Sequence, residues 1–293
     1  MKLLVTGGAG QLASALAAIA LPAGVELVRV GRPQFDFDSF PTIENVLSEV
    51  RPTLVVNAAA YTAVDAAETD EAAALRANRD GPARLAELCA DHAVKLIHVS
   101  TDYVFDGNKG APYVETDPTS PTGVYGVSKL AGEALVLAAL PQAVVLRTAW
   151  VYSHTGKNFV KTMLNLARKT DRLRVVADQI GCPTNAADLA AAVLAIAGQM
   201  AAGMPAGGIY HAAGTGWTSW HGLACAAFAA AAPHGLEIPA VAAITTADYP
   251  TPARRPADSR LDCSKLAQTF GVRLPPWQES LGPTVAALCA APG

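Results

Sequence analysis

The sequence lacks any continuously apolar run of about 20 residues, so no part of it reads as a membrane-spanning helix and no membrane partner is expected. It also lacks a basic excess. With 22 Lys and Arg against 25 Asp and Glu, the net charge of −3 offers no field to attract nucleic acid. Cysteine is scarce: Cys89, Cys182, Cys225, Cys263 and Cys289 are odd in number, scattered and without C-x-x-C spacing, which argues against a disulfide framework or a zinc site. His98, His154, His211 and His221 show no metal-ligand spacing either, and no metal site is expected. Met1-Lys2 leads straight into a strand pattern with no signal-peptide layout, so a cytoplasmic protein is expected. Internal repeats are absent.

What the chain does have is core material, 51% hydrophobic and rich in alanine, over a length of 293 residues that exceeds one average domain. Leu3-Leu4-Val5 runs into Thr6-Gly7-Gly8-Ala9-Gly10-Gln11-Leu12-Ala13 and then an Ala/Leu helical pattern. Strand, glycine turn and helix in that order let backbone N–H groups at a helix N-terminus approach a pyrophosphate. The spacing G-x-x-G departs from G-x-G-x-x-G, and a plain strand-to-helix turn is the alternative. After a second strand over Glu26–Val30 comes Gly31-Arg32, with no carboxylate until Asp36. An acid directly after the strand would bind a ribose 2′-hydroxyl, whereas Arg32 suits a 2′-phosphate, so NADPH is expected with NADH possible. Asp36-Phe37 either meets the adenine or is solvated loop.

A third strand over Thr53–Asn57 opens into Ala58-Ala59-Ala60-Tyr61-Thr62-Ala63-Val64-Asp65, small residues that allow a ligand to lie against backbone. Thr62 and Asp65 also fit a helix cap. Asp65–Asp80 then reads as one polar helix, and Gly81-Pro82 restarts a second through His92. A fourth strand, Lys95–Val99, delivers Ser100-Thr101-Asp102-Tyr103, whose hydroxyl can bond a substrate carbonyl and a phenol together. That phenol is Tyr125, four residues before Lys129 in an Ala/Leu-rich helix, so that both project from one face. Lysine beside tyrosine favours the phenolate and should lower its pKa. The bland alternative is a surface pair. A fifth strand ends at Arg147-Thr148-Ala149-Trp150, and beyond it the strand-helix alternation loosens. The fold expected is α/β: a Rossmann-type doubly wound parallel sheet with a smaller C-terminal α/β substrate-binding lobe. Residues 1–150 with a return segment near 186–213 form the first, and 151–185 with 214–293 the second.

Six blocks in order give the chain a family resemblance: Gly7-x-x-Gly10-Gln11-Leu12, Asn57 through Asp65, Ser100 through Gly107, Tyr125-Gly126-x-Ser128-Lys129-x-x-Gly132-Glu133, Arg147-Thr148-x-Trp150-Val151-Tyr152 and Asp178-Gln179-x-Gly181-x-Pro183-Thr184. The chain resembles the extended short-chain dehydrogenase/reductase superfamily over nearly its full length, and within it the reductases of nucleotide-linked 4-keto-6-deoxyhexoses. The resemblance implies reduction of the 4-keto group of a dTDP-linked sugar, the last step toward dTDP-L-rhamnose. It implies that Tyr125 donates the proton, Lys129 holds the nicotinamide ribose, and Thr101 orients the ketone. Gly10, Gln11 and Leu12 would follow the pyrophosphate, and Ala59, Ala60 and Tyr61 the path to the nicotinamide. Asp102 and Trp150 would contact the sugar, with the Trp150 ring against the pyranose. Arg254 and Arg255 are candidates for the nucleotide diphosphate, and loop arginines facing solvent are the alternative.

Some family members carry a magnesium-bridged dimer held by carboxylates near the first helix. Here Ala13–Leu21 is small and apolar apart from Ser14, so a bridging metal is not expected, while a homodimer stays possible. Two other functions compete: a nucleotide-sugar epimerase or dehydratase of the superfamily, and a non-catalytic regulatory subunit. Asp102-Tyr103 in place of an Asp-Glu pair argues against a dehydratase, and intact Thr101, Tyr125 and Lys129 argue against a silent subunit.

Overall fold

The computed structural model describes residues 1–290. Its strands are β1 (Lys2–Val5), β2 (Glu26–Arg29), β3 (Leu54–Asn57), β4 (Lys95–Thr101), β5 (Val144–Thr148), β6 (Val151–Tyr152), β7 (Arg172–Val176), β8 (Ile180–Gly181), β9 (Thr184–Asn185), β10 (Gly208–His211), β11 (Thr218–Ser219) and β12 (Ala240–Ile244). The α-helices are α1 (Gln11–Ala18), α2 (Phe40–Val50), α3 (Val64–Ala67), α4 (Glu71–Leu75), α5 (Gly81–Asp91), α6 (Val124–Ala139), α7 (Phe159–Ala167), α8 (Ala186–Ala201), α9 (Trp220–Ala231), α10 (Ser264–Phe270) and α11 (Trp277–Ala290).

Six strands form one sheet in the order β10-β5-β4-β3-β1-β2, every neighbour parallel. Alternation along each strand divides the core between its faces. Leu3, Val5, Leu54, Val56, Ile97, Val144 and Leu146 pack toward α1 and α8, while Leu4, Val55, Leu96 and Val145 pack toward α2, α5 and α6. Both faces are covered, which is why these strands read as unbroken apolar runs. The order reverses between β1 and β3, the crevice where such sheets bind ligands at their carboxyl ends. A separate core gathers Tyr152, Leu164, Leu223, Phe228, Trp277 and Leu281 around the β7–β12 and β6–β9 pairs.

The helical stretch expected over Asp65–Asp80 is broken. Asp70 caps α4 by accepting from Ala73 N, and Arg76–Asp80 is a π-helical turn running straight into α5. Pro82 has no N–H for the Asn78 carbonyl, which frees that carbonyl to face α6. Gly132 permits the approach, since a Cβ there would sit 2.0 Å from Asn78 O. Near the C-terminus, α10 is short and α11 runs 14 residues.

α6 lies on the sheet through a buried ion pair. Arg147 of β5 donates from Nη2 to Glu133 Oε2 at 2.6 Å and from Nε to Oε1 at 3.0 Å, with each side chain 2% exposed. Ser100 Oγ donates to the same carboxylate, and the guanidinium lies over the Phe105 ring. Removing one partner strands the other charge in the core, so Arg147→Met should lower unfolding free energy by about 3–5 kcal/mol. The double variant Glu133→Leu, Arg147→Met should recover most of that loss, as read by urea unfolding.

Candidate active site

Along the carboxyl edge of the sheet runs a cleft of about 930 Å³. The β1–α1 turn floors one end. Gly7 and Gly8 have φ of 102° and 52°, and a Cβ on Gly7 would sit 2.9 Å from Ala58 O. Gly31, at the end of β2, would place its Cβ 2.6 Å from Gly8 Cα, so the two turns touch only because both are glycine. This cradle of backbone at the start of α1 fits a dinucleotide pyrophosphate. Gly7, Gly10, Gln11, Leu12, Ala59, Ala60 and Tyr61 all line it, as do Arg32 and Phe37.

Asp36 does not line the cleft. Its Oδ1 accepts from Arg32 Nε at 2.9 Å, while Arg32 Nη2 reaches Asp38 Oδ2 at 2.8 Å and Arg76 Nε donates to Asp38 Oδ1 at 2.9 Å. These pairs are solvent-exposed and worth about 0–1 kcal/mol each, so Arg32 is free to exchange them for a 2′-phosphate. Arg254 and Arg255 also lie outside the lining. Arg255 Nη2 instead donates to Asp65 Oδ2 at 2.8 Å, and the same carboxylate accepts from Ala253 N at 3.3 Å. Asp65 thus pins the C-terminal loop; it does not cap α3, whose N-cap is Ala63.

At the other end Thr101, Asp102, Tyr125, Lys129 and Trp150 converge on the cleft. Their arrangement corrects one expectation. Lys129 donates its Nζ–H to Val99 O at 2.6 Å and does not draw down the Tyr125 pKa. Burial pushes the Tyr125 phenol up to about 12, partly offset by the Thr101 hydroxyl beside it. Burial pulls Lys129 down to about 8, with Glu133 opposing. Asp102, 2% exposed, is pushed up to about 6 by burial. Its Oδ1 accepts from Thr101 Oγ1 at 3.1 Å, and Oδ2 is buried without a partner. The phenol therefore holds its proton in the free cleft.

Beneath Lys129, Asn57 Oδ1 accepts from Thr6 Oγ1 at 2.7 Å, which leaves Asn57 Nδ2 to donate to His98 Nδ1 at 2.9 Å. Burial and the Lys129 charge hold that imidazole neutral. Several positions at or beside the cleft escaped sequence reasoning. Asn78, fully buried in the π turn, accepts from Tyr61 N at 2.8 Å and donates to Tyr61 O and Ser128 Oγ, each at 3.0 Å. Its signal was Gly81-Pro82, read only as a helix restart. Lys157 and Trp220 line the cleft from distant segments and carried no local signal.

The surface beside α1 offers few carboxylates. A second cavity there is lined by Ala15, Ala18 and Ile19, and its carboxylates are Asp188, engaged by Ser280 Oγ, and Glu279. Among the described residues no group of three His, Cys, Asp or Glu is placed to hold a metal ion.

Comparison with known proteins gives a consistent result. A family model for the RmlD substrate binding domain matches residues 1–289. The dTDP-4-dehydrorhamnose reductase of Sinorhizobium fredii is 50% identical over 283 residues, covering 96% of this chain and 95% of that one. A dTDP-4-dehydrorhamnose reductase crystal structure from Clostridium acetobutylicum superposes with a TM-score of 0.91 at 36% identity, covering 98% of this chain and 99% of that one. That of Bacillus anthracis, in complex with NADP, gives 0.90 at 31%, covering 97% and 98%.

The depressed Lys129 pKa has a pH consequence. Its ammonium is present below about 8 and lost above, so kcat/KM for the nicotinamide cofactor should fall on the alkaline limb with an apparent pKa near 8. Lys129→Met should abolish that limb, and a limb that survives the substitution belongs to another group.

Proposed function

This chain belongs to the family of the RmlD substrate binding domain, and from that premise we propose that it reduces the 4-keto group of dTDP-4-dehydro-L-rhamnose to give dTDP-L-rhamnose, with NADPH, or alternatively NADH, as reductant. The observation that carries the reading is the convergence of Tyr125, Lys129 and Thr101 on one cleft whose far end is a glycine cradle. The nicotinamide cofactor, when bound, supplies the hydride.

The rest falls to the chain's own groups. As the ketone is reduced, negative charge develops on its oxygen. Tyr125 gives that oxygen its proton, and the high pKa of the free phenol means that the proton is there to give. Thr101, beside the phenol, would turn its one O–H from Asp102 Oδ1 to the carbonyl oxygen and so orient it. Lys129 would hold the nicotinamide ribose, and only in the loaded site would its ammonium favour the tyrosinate left after proton transfer, an effect absent from the free cleft. Arg32 would exchange Asp38 for a 2′-phosphate, and Gln11 and Leu12 would follow the pyrophosphate. Asp102 lines the same end of the cleft and would contact the sugar. The five free cysteines agree with a cytoplasmic setting. None of the described helices is long and apolar enough to cross a membrane.

The test is direct. With dTDP-4-dehydro-L-rhamnose and NADPH or NADH, nicotinamide absorbance should fall; no oxidation of either cofactor overturns the reading. Tyr125→Phe should cost about 10²-fold or more in kcat while NADPH affinity holds. Near-normal turnover would remove Tyr125 from the proton step.

A further inference from the structure

Trp150 is the residue at which the chain leaves the large sheet, and its backbone is strained there. Its φ is 48°, in the left-handed region that a bulky side chain rarely enters. The strain turns β5 into β6, with Thr184 N donating to Trp150 O at 3.2 Å, and delivers the indole into the cleft. The ring does not stand alone. It lies face to face on Trp220, with centroids 3.4 Å apart and planes 4° from parallel.

Two indoles left to themselves prefer an offset or edge-on arrangement, because the faces of both rings carry negative potential. Here the overlay is imposed from outside. Trp220 Nε1–H donates to Gln179 Oε1 at 3.1 Å; Gln179 is buried and donates in turn to Thr246 Oγ1 at 3.0 Å. Phe159 of α7 packs on Trp220 at 4.6 Å, tilted by 48°. On the Trp150 side, Gly181 makes room: a Cβ there would come within 2.3 Å of Trp150 Cε2. The expectation that Trp150 by itself presents a free ring to the pyranose is therefore incomplete, since Trp220 covers one of its faces.

We propose that Trp220 is a positioning residue for the sugar end of the substrate, backing the Trp150 indole and fixing, through its bond to Gln179, the tilt of the aromatic wall that receives the pyranose. The inference rests on the reductase reading and concerns the same cleft. Trp220 comes from α9 and Gln179 from the segment before β8, so the wall is set by the smaller lobe while Thr101 and Tyr125 are set by the large sheet. A tilt error of the wall misaligns the ketone toward Tyr125 without disturbing the glycine cradle.

The experiment measures KM for dTDP-4-dehydro-L-rhamnose and for NADPH separately, with unfolding midpoints alongside. Trp220→Ala should raise the sugar-nucleotide KM about tenfold and leave the NADPH KM within about twofold. Trp220→Phe, which keeps a ring but loses the N–H donor, and Gln179→Leu should each raise the sugar KM about threefold with NADPH unchanged. An unchanged sugar KM in Trp220→Phe and Gln179→Leu, or an equal rise in both KM values, overturns the proposal and leaves Trp220 a packing residue. If Trp220→Ala fails to fold, the two milder variants decide. Absence of turnover by the unsubstituted chain removes the reductase reading, and this inference falls with it.

Discussion

The Glu133–Arg147 ion pair is the constraint on which the site's geometry depends. Both groups are sealed from water, and a buried charge tolerates little departure from the position where its partner and hydrogen bonds satisfy it. Glu133 is also bonded by Ser100, next to Thr101 on β4, so one carboxylate fixes α6 against β4 and β5 together. Once Glu133 is placed, helical periodicity leaves no choice for what lies one and two turns earlier: Lys129 and then Tyr125 must face the same way. Gly126 and Gly132 make that depth possible, for a Cβ at either would meet Tyr103 O or Asn78 O at 2.3 or 2.0 Å. Tyr125 is thus aimed by a salt bridge two turns away.

That placement decides the electrostatics. Lys129 sits too deep to be a simple surface partner for Tyr125. Its ammonium answers to the Val99 carbonyl and to Glu133, and its own depressed pKa reflects the burial that the ion pair enforces. Tyr125 is raised and Asp102 is raised, so in the free cleft both acidic groups resist ionising while the cation resists staying charged. A bound nucleotide with its own negative charge would favour the ammonium form of Lys129, which in turn favours the tyrosinate. Acidity in Tyr125 is then a property of the loaded site and cannot be read from the Tyr-x-x-x-Lys spacing alone.

Much of the fold was legible because it follows from local rules. Parallel strands buried on both faces give short apolar runs, glycine turns mark close approaches, and the Tyr125–Lys129 spacing needs only helical geometry. Thr101, Gly10, Gln11 and Ala59 were candidates because each sits at a strand's carboxyl end or in the turn that follows it, and all four line the cleft. What was missed comes from contacts far apart in sequence. Asn78 works through a π turn whose cause is a missing N–H at Pro82. Trp220 lies 70 positions from the ring that it covers, in a helix that reads as ordinary alanine-rich packing. Asp65 and Arg255, 190 residues apart, looked like a cap and a phosphate ligand until they were seen to hold each other.

Those long-range contacts share a place in the fold. The loop after β4 is fixed by the Phe105–Tyr113 stack and by Tyr113 N donating to Arg260 O at 2.7 Å, and the Arg255–Asp65 pair joins the same C-terminal segment to α3. The segment holding Ala253 through Arg260 therefore crosses to the large sheet and braces α3, which carries Asp65, and the loop that follows Thr101 and Asp102. Trp150 is the reverse crossing, where β5 hands the chain to the smaller lobe through a left-handed residue. Two crossings in opposite directions, one strained and one ion-paired, tie the sugar end of the cleft to the sheet that aims Tyr125. Strain at Trp150 persists because Gly181, Thr184 and Trp220 all hold it, and a bulky residue with positive φ needs such over-determination to survive.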